Sequence, residues 1–364
     1  MSMQIYNFSA GPAIMPKEVL RKAQEEMLSL QYFGRNIGMS VMEISHRSEV
    51  FTAINESAQN GLRDLLNVPQ NYQILFLQGG ASLQFSMIPM SFLSQDETAE
   101  YIVTGAWGEK ALVEAKRCGD AKAIYSSVKN GYKTVPKQSE LNFTKEAKYI
   151  HYTSNETIEG VEFKYDLEAE IPVVCDASSN ILSKQIDVSK YSLIYAGAQK
   201  NIGPSGITVV IIRDEFLEKS NKKQHSMLDY SKFAENKSLL NTPNTWGIYL
   251  VDLVCKWLKN IGGVSEIEKI NQQKAAIIYN AIDQSNGYFK GHADIDARSL
   301  MNVTFRLPSI ELENKFCTEA TDLGFDGLRG HRSVGGIRAS IYNAFPIEGV
   351  EKLVEFMTKF SKEN

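Results

Sequence analysis

The sequence predicts an α/β protein, with a large unit built on a mostly parallel sheet sandwiched by helices and a smaller α+β unit toward the C-terminal side. Three observations lead there. Through the first two-thirds of the chain, short apolar runs such as "YQILFL" (72–77), "EYIVTG" (100–105) and "GITVVIIRD" (206–214) are spaced by helical patterns or loops. Near-continuous apolar runs mark strands covered on both faces, as in parallel sheets. After about residue 245 the texture changes, with long helical patterns and few strands. Finally, 364 residues with 43% hydrophobic and 23% charged side chains suffice for a sizeable core and more than one domain.

The elements follow in order. "YQILFL" runs into "QGGASLQFSMIPM", and "EYIVTG" into "AWGEKALVEAKR", each a strand followed by a helix. "AKAIYSS" (121–127), "KYIHYTS" (148–154), "IPVVCDAS" (171–178), "SLIYAGA" (192–198) and "GITVVIIRD" complete the strands of the large unit. "TWGIYLVDLVCKWLKNIGG" (245–263) reads as an apolar helix stopped by Gly262-Gly263. A Ser265…Glu268 capping box is expected to open the next helix, with apolar positions at 267, 270, 277, 278 and 281. A strand in "SLMNVTFRL" (299–307), a helix over 310–323, a strand in "GGIRASIYN" (335–343) and an amphipathic helix from Pro346 finish the chain. The expected division is a large unit over 16–260 and a small one formed by 1–15 with 261–364.

Net charge is −4, from 39 Lys+Arg against 43 Asp+Glu, so no global basic field points to nucleic acid or an anionic membrane. Cys118, Cys175, Cys255 and Cys317 lie far apart with no C-x-x-C pair, which argues against a disulfide framework or zinc site and for a reducing cytoplasm. The N-terminal residues lack the cationic flank and apolar stretch of a signal peptide. Apolar runs are a strand long, whereas a membrane span needs about 20 residues. The histidines show no metal-ligand spacing, so no metal is expected.

Ligands of open α/β sheets sit at the carboxyl ends of strands, and the unusual residues fall there. In "YAGAQKNIGPSG" (195–206), Lys200 follows a buried strand and is flanked by small residues and glycines. Most lysines lie on the surface. A lysine at a buried strand end, however, can lose its charge and attack carbonyls, as those that bind pyridoxal phosphate do. Such a cofactor needs a carboxylate for its ring nitrogen, and Asp176 ends the preceding strand, although an acid there also suits a helix N-cap. Its phosphate needs backbone N–H groups at a helix start, where "GGAS" (79–82) lies. Its ring needs a flat neighbour, a role open to Trp107 if that residue is not plain core. Two His-Arg pairs, His46-Arg47 and His331-Arg332, together with Arg338, suit a doubly anionic substrate, though ordinary surface charge explains each alone. A nucleotide-binding enzyme using Gly79-Gly80 remains a weaker alternative, since no G-x-G-x-x-G or P-loop is present.

Longer segments are more specific. "NFSAGPA" (7–13), "VMEISHRS" (41–48), "HYTSNETIEG" (151–160), "IYAGAQKNIGPSG" (194–206), "NTPNTW" (241–246) and "GHRSVGGIRASIYNA" (330–344) span the chain. With them the sequence resembles the class V aminotransferases, pyridoxal-phosphate enzymes of the fold-type I transferase architecture. The resemblance implies amino transfer between L-glutamate and 3-phosphohydroxypyruvate, giving O-phospho-L-serine and 2-oxoglutarate by a ping-pong route that serves serine biosynthesis. It leaves open a phosphohydroxythreonine substrate in vitamin B6 synthesis. Lys200 would carry pyridoxal 5'-phosphate as a Schiff base and shuttle the substrate proton, Asp176 would pair with the ring nitrogen, and Trp107 would stack on the ring. Thr157 would bond near the ring hydroxyl. Ala81, Ser82 and Gln199 would form the phosphate cup, joined by Asn241 and Thr242 of the partner subunit, which makes a homodimer part of the site. Arg338 would take the α-carboxylate. Ser9, His46, Arg47, His331 and Arg332 would complete the substrate site, some across the dimer interface. Part of the family carries arginine in a GGGRGQF loop; here "GGASLQF" has Ser82 there, so the distal pocket leans on the His-Arg pairs. A desulfurase of the same class would need a reactive cysteine in a glycine-rich loop near Arg338, where Ser333 stands instead.

Overall fold

A computed structural model describes residues 4–364, so residues 1–3 of the expected small unit lie outside the described residues. Past a short β1 (Tyr6–Asn7), seven of the apolar runs form one sheet: β2 (Tyr72–Leu77), β3 (Thr98–Val103), β4 (Asp120–Ser126), β5 (Ile150–Thr153), β6 (Val173–Asp176), β7 (Leu193–Gly197) and β8 (Thr208–Arg213). Their order is β2-β8-β7-β6-β5-β3-β4. Only β8 runs antiparallel to its neighbours; every other pairing is parallel.

Alternation along the strands divides their side chains between two cores. Ile74, Phe76, Cys175, Val209 and Ile211 share one core with α1 (Lys17–Glu25), α2 (Glu49–Leu66) and α5 (Thr245–Asn260). Leu75, Leu77, Val174, Val210 and Ile212 share the other with α3 (Gly80–Phe92) and α4 (Ala106–Ala115). Both faces are covered, which is why the strands read as apolar runs rather than as alternating patterns.

A separate core gathers α6 (Gly263–Asp283), α7 (Ile310–Asp322) and α8 (Ile347–Glu363) around an antiparallel sheet of β9 (Lys290–Gly291), β10 (Asn302–Arg306) and β12 (Ile337–Ser340). The N-terminal segment joins this core. β1 pairs in parallel with β11 (Phe325–Asp326), and Tyr6 and Phe8 are buried among its aromatic residues.

The expected capping box is absent. α6 begins at Gly263, with Gly262 at φ 106° as its N-cap, so Ser265 already lies in the first turn. Left-handed backbone at Gly262 reverses the chain directly after α5, and the new helix starts without a side-chain cap. Glu268 instead accepts from the Gln185 N–H at 3.2 Å.

One buried lysine, whose pKa burial lowers to about 7, braces the turn after β12. Lys274 of α6 is fully buried and donates to the carbonyls of Ile341, Tyr342 and Asn343 at 3.0, 2.7 and 3.4 Å. Three acceptors match the three donors of an ammonium. The Asn343 N–H donates to Asn201 Oδ1 at 3.0 Å, so the turn after β12 is bonded to the residue following Lys200. Lys274→Met preserves much of the volume but strands those carbonyls. It is expected to lower unfolding free energy by about 3 kcal/mol, measured by urea denaturation.

Candidate active site

β5, β6 and β7 end at one edge of the sheet, and the N-termini of α3 and α4 rise from the same edge. Between them lies a cavity of about 390 Å³, a size suited to a small molecule. Of the residues singled out by sequence, Ala81, Ser82, Trp107, Thr157, Asp176, Gln199, Lys200, His331 and Arg338 line it. Ser9, His46, Arg47, Asn241, Thr242 and Arg332 do not line it within one chain. Asn241 bonds instead with Gln78, and Ser9 sits against Gly327 with its N–H on Asn7 Oδ1.

Of the glycines around Lys200, Gly206 is required by its backbone at φ +92°, whereas Gly197 has room for a Cβ in ordinary van der Waals contact. A Cβ on Gly197 would lie 3.8 Å from the Ala81 nitrogen, and Gly11, at φ +151°, lies against the Gln199 side chain. The backbone of β7 therefore runs close beside the start of α3. That start is unblocked: Gly79 and Gly80 take positive φ, and the first turn of α3 has no acidic residue. Free N–H groups at a helix start favour a phosphate.

Lys200 Nζ donates to Thr157 Oγ1 at 2.7 Å and to Ser179 Oγ at 2.6 Å. Burial lowers its pKa to about 8; the carboxylates of Asp176 and Glu156 oppose that shift, while the Arg338 charge adds to it. The neutral amine is the nucleophile. In cofactor-free protein, acylation of Lys200 by a small reagent is expected to reach half its plateau near pH 8, rather than near the 10.5 of an ordinary lysine, as read by mass spectrometry.

Asp176 ends β6, is 4% exposed, and accepts the Ser178 N–H at 2.9 Å. Burial raises its pKa, while bonds from Ser178 and the charge of Lys200 draw it back. No helix starts there, so the N-cap alternative does not apply, although the side chain does close a local turn. Trp107, in the first turn of α4, has Lys110 Nζ 4.1 Å from its ring centroid, and its indole N–H is buried without a partner among the described residues.

Sequence reasoning passed over four residues here. Ser179 holds the lysine amine, and Ser178 Oγ accepts the Gly197 N–H at 3.0 Å. Glu156 and Glu159, both buried, cap α4. Glu156 accepts from the N–H groups of Trp107 and Gly108 at 3.0 and 2.8 Å, and Glu159 from that of Ala106 at 3.1 Å. The two hydroxyls that follow Asp176-Ala177 and the two carboxylates in "NETIEG" were the available signals.

The fit to pyridoxal phosphate rests on these features: a half-buried amine of lowered pKa, a buried carboxylate, a flat ring and free helix N–H groups facing one cavity. No group of three or more His, Cys, Asp or Glu suited to a metal occurs among the described residues.

Comparison with known proteins agrees. The family model described as aminotransferase class-V matches residues 5–353. A phosphoserine aminotransferase of Lysinibacillus sphaericus is 50% identical over the full length of both chains, and that of Bacillus subtilis is 50% identical over 98% of each. The solved phosphoserine aminotransferase of Bacillus circulans subsp. alkalophilus superposes with a TM-score of 0.96 at 49% identity, covering 99% of each chain. A pyridoxal-phosphate-bound phosphoserine aminotransferase from Trichomonas vaginalis gives 0.91 at 38% identity, covering 98% of this chain and 100% of its own. The chain belongs to the class-V aminotransferase family, within its phosphoserine aminotransferase branch.

Proposed function

We propose that this chain, with pyridoxal 5'-phosphate, transfers the amino group of L-glutamate to 3-phosphohydroxypyruvate, forming O-phospho-L-serine and 2-oxoglutarate. The observation carrying this reading is that Lys200, Asp176, Arg338 and the start of α3 face one cavity. When bound there, pyridoxal phosphate supplies an electron sink for the bonds at the substrate's Cα. Lys200 holds the cofactor and moves the proton at Cα. Asp176 would hold the proton on the ring nitrogen, Trp107 would stack on the ring, and Thr157 would bond near the ring hydroxyl. Ala81, Ser82 and Gln199 receive the phosphate. Arg338 takes the α-carboxylate, and Ser9, His46, Arg47, His331 and Arg332 serve the rest of the substrate. Both substrates carry a carboxylate and a second anion, so one set of forks serves both.

The reading extends to a homodimer in which Asn241 and Thr242 of the partner subunit complete the phosphate cup. Exposed Leu28 and Phe33, at 86% and 85%, with Met39 and Met42 nearby, support a covered face. It also takes residues 16–260 as the cofactor-binding unit, with 1–15 and 261–364 as the smaller one. Four free cysteines fit a cytoplasmic enzyme, and no helix among the described residues is long and apolar enough to cross a membrane.

The test is spectroscopic. L-Glutamate should bleach the visible absorption of the holoenzyme, and 3-phosphohydroxypyruvate should restore it where pyruvate and glyoxylate do not. Absorption indifferent to glutamate would overturn the reading. Sedimentation of a Phe33→Asp variant tests the dimer, with a monomer of weakened cofactor affinity as the expected result.

A further inference from the structure

Two oppositely charged groups beside the cavity each keep a buried polar atom without a partner among the described residues: Glu159 through Oε2 and Arg338 through Nε. Each favours the other's charged form. Glu159 is held at its remaining groups. Its Oε1 accepts the Ala106 N–H, and its carbonyl accepts Thr304 Oγ1 at 2.6 Å; Thr304 stands opposite Arg338 in the β10–β12 ladder. Gly105 leaves space for this arrangement, because a Cβ there would fall 2.6 Å from Glu159 Oε2. The free carboxylate oxygen is therefore fixed at the start of α4, and the carbonyl of the same residue is tied through Thr304 to the strand paired with that of Arg338; among the described residues no ion pair within 4.0 Å joins it to the guanidinium, so the two charges act on each other through the buried space between them.

We propose that Glu159 is a positioning residue for Arg338: it balances the guanidinium's charge before substrate binds, and yields it to the substrate's carboxylate by taking up a proton from solvent. The proposal rests on the reading of Arg338 as the α-carboxylate ligand. Facing Glu159 are Glu156, Glu109 of α4, Tyr132 of the loop after β4, and Arg338. Burial raises its carboxyl to about 7, against the bond from Ala106 and the charge of Arg338. Above that pH the ionised carboxylate offsets part of the positive charge that the substrate would meet at the arginine; below it that offset is gone. Neutralising Arg338 with a bound carboxylate removes the charge that holds the proton off, so binding takes a proton up.

The test uses the holoenzyme and glutarate, which has two carboxylates and no amine to exchange with Lys200. Calorimetry in two buffers of different ionisation heat, slightly above neutral pH, counts protons taken up on binding. Glutarate dissociation constants are then followed from about pH 6 to about pH 9. Glu159→Gln retains an acceptor for the Ala106 N–H but cannot ionise. The expected result is that it takes up fewer protons than the wild type and binds glutarate about tenfold more tightly relative to wild type at the alkaline end than at the acid end. Equal proton uptake, or weaker binding by the variant at every pH, would overturn the proposal and leave Glu159 a structural cap. If that variant does not fold, Glu159→Asp, which retains the charge, should preserve the pH dependence of glutarate affinity; its loss there would overturn the proposal as well. Arg338→Gln separates the two readings, since unchanged glutarate affinity in that variant means that the assignment of Arg338 has failed.

Discussion

Lys200→Ala is expected to lower turnover by at least about ten-thousandfold while the protein still folds. Among the described residues Lys200 is the only lysine lining the cavity, so on the proposed reading no other amine there could form the Schiff base in its place. Its removal leaves little stranded, because Thr157 and Ser179 already bond to each other at 2.6 Å. Burial of an amine whose pKa is held down to about 8 means that the folded state resists its charge at neutral pH. An apolar replacement, Lys200→Met, is therefore expected to leave the unfolding midpoint unchanged or raise it, the usual trade between stability and activity at a catalytic group. The measurements are single-turnover kinetics and urea unfolding on the same preparations. Small primary amines added to Lys200→Ala should restore part of the proton transfer, since they supply the missing base without a covalent tether. A variant that loses activity only because it loses its fold would show Lys200 to be structural.

How legible these features were depends on how local their causes are. The limits of β2 coincide with the run "YQILFL", because a strand covered on both faces is buried and apolar through its middle, with polar Gln73 only near its start. Lys200 and Asp176 stood out for the related reason that each closes such a run. The Ser265…Glu268 pattern misled because its spacing is the same outside a helix and within its first turn; the backbone at Gly262 decides, and that depends on how α5 and α6 pack. Ser179 and Glu159 were missed because what they do is tertiary. Ser179 meets the lysine amine across 21 residues, and Glu159 meets the Ala106 N–H across 53. His46, Arg47, Asn241 and Thr242 lie outside the cavity of one chain; on the proposed reading of a site shared between subunits they belong to a further level. Residues whose role depends on a strand's end are readable from pattern; those whose role depends on a meeting of distant segments are not.

Asp176→Asn is expected to lower kcat by about a hundred- to a thousandfold with little change in KM for L-glutamate. The substitution keeps the shape and the acceptor for the Ser178 N–H, so the turn after β6 should persist. What it removes is a negative charge at the buried end of β6, and burial makes that charge hard to replace with solvent. On the proposed reading, with pyridoxal phosphate bound, an asparagine there would supply no anion for the ring nitrogen, so the loss would appear in kcat rather than in binding of the substrate's carboxylates at Arg338. A second, independent reading follows from the lysine. The charge of Asp176 supports the ammonium form of Lys200, so its loss should move the half-point of Lys200 acylation in cofactor-free protein below about 8. The sign is fixed: a removed anion can only make the amine easier to deprotonate. Asp176→Asn with near-normal kcat but a lowered acylation half-point would place Asp176 beside the lysine without a role at the ring. A lowered kcat with an unmoved half-point would mean that Asp176 acts at the ring alone and that burial by itself accounts for the weak base at Lys200.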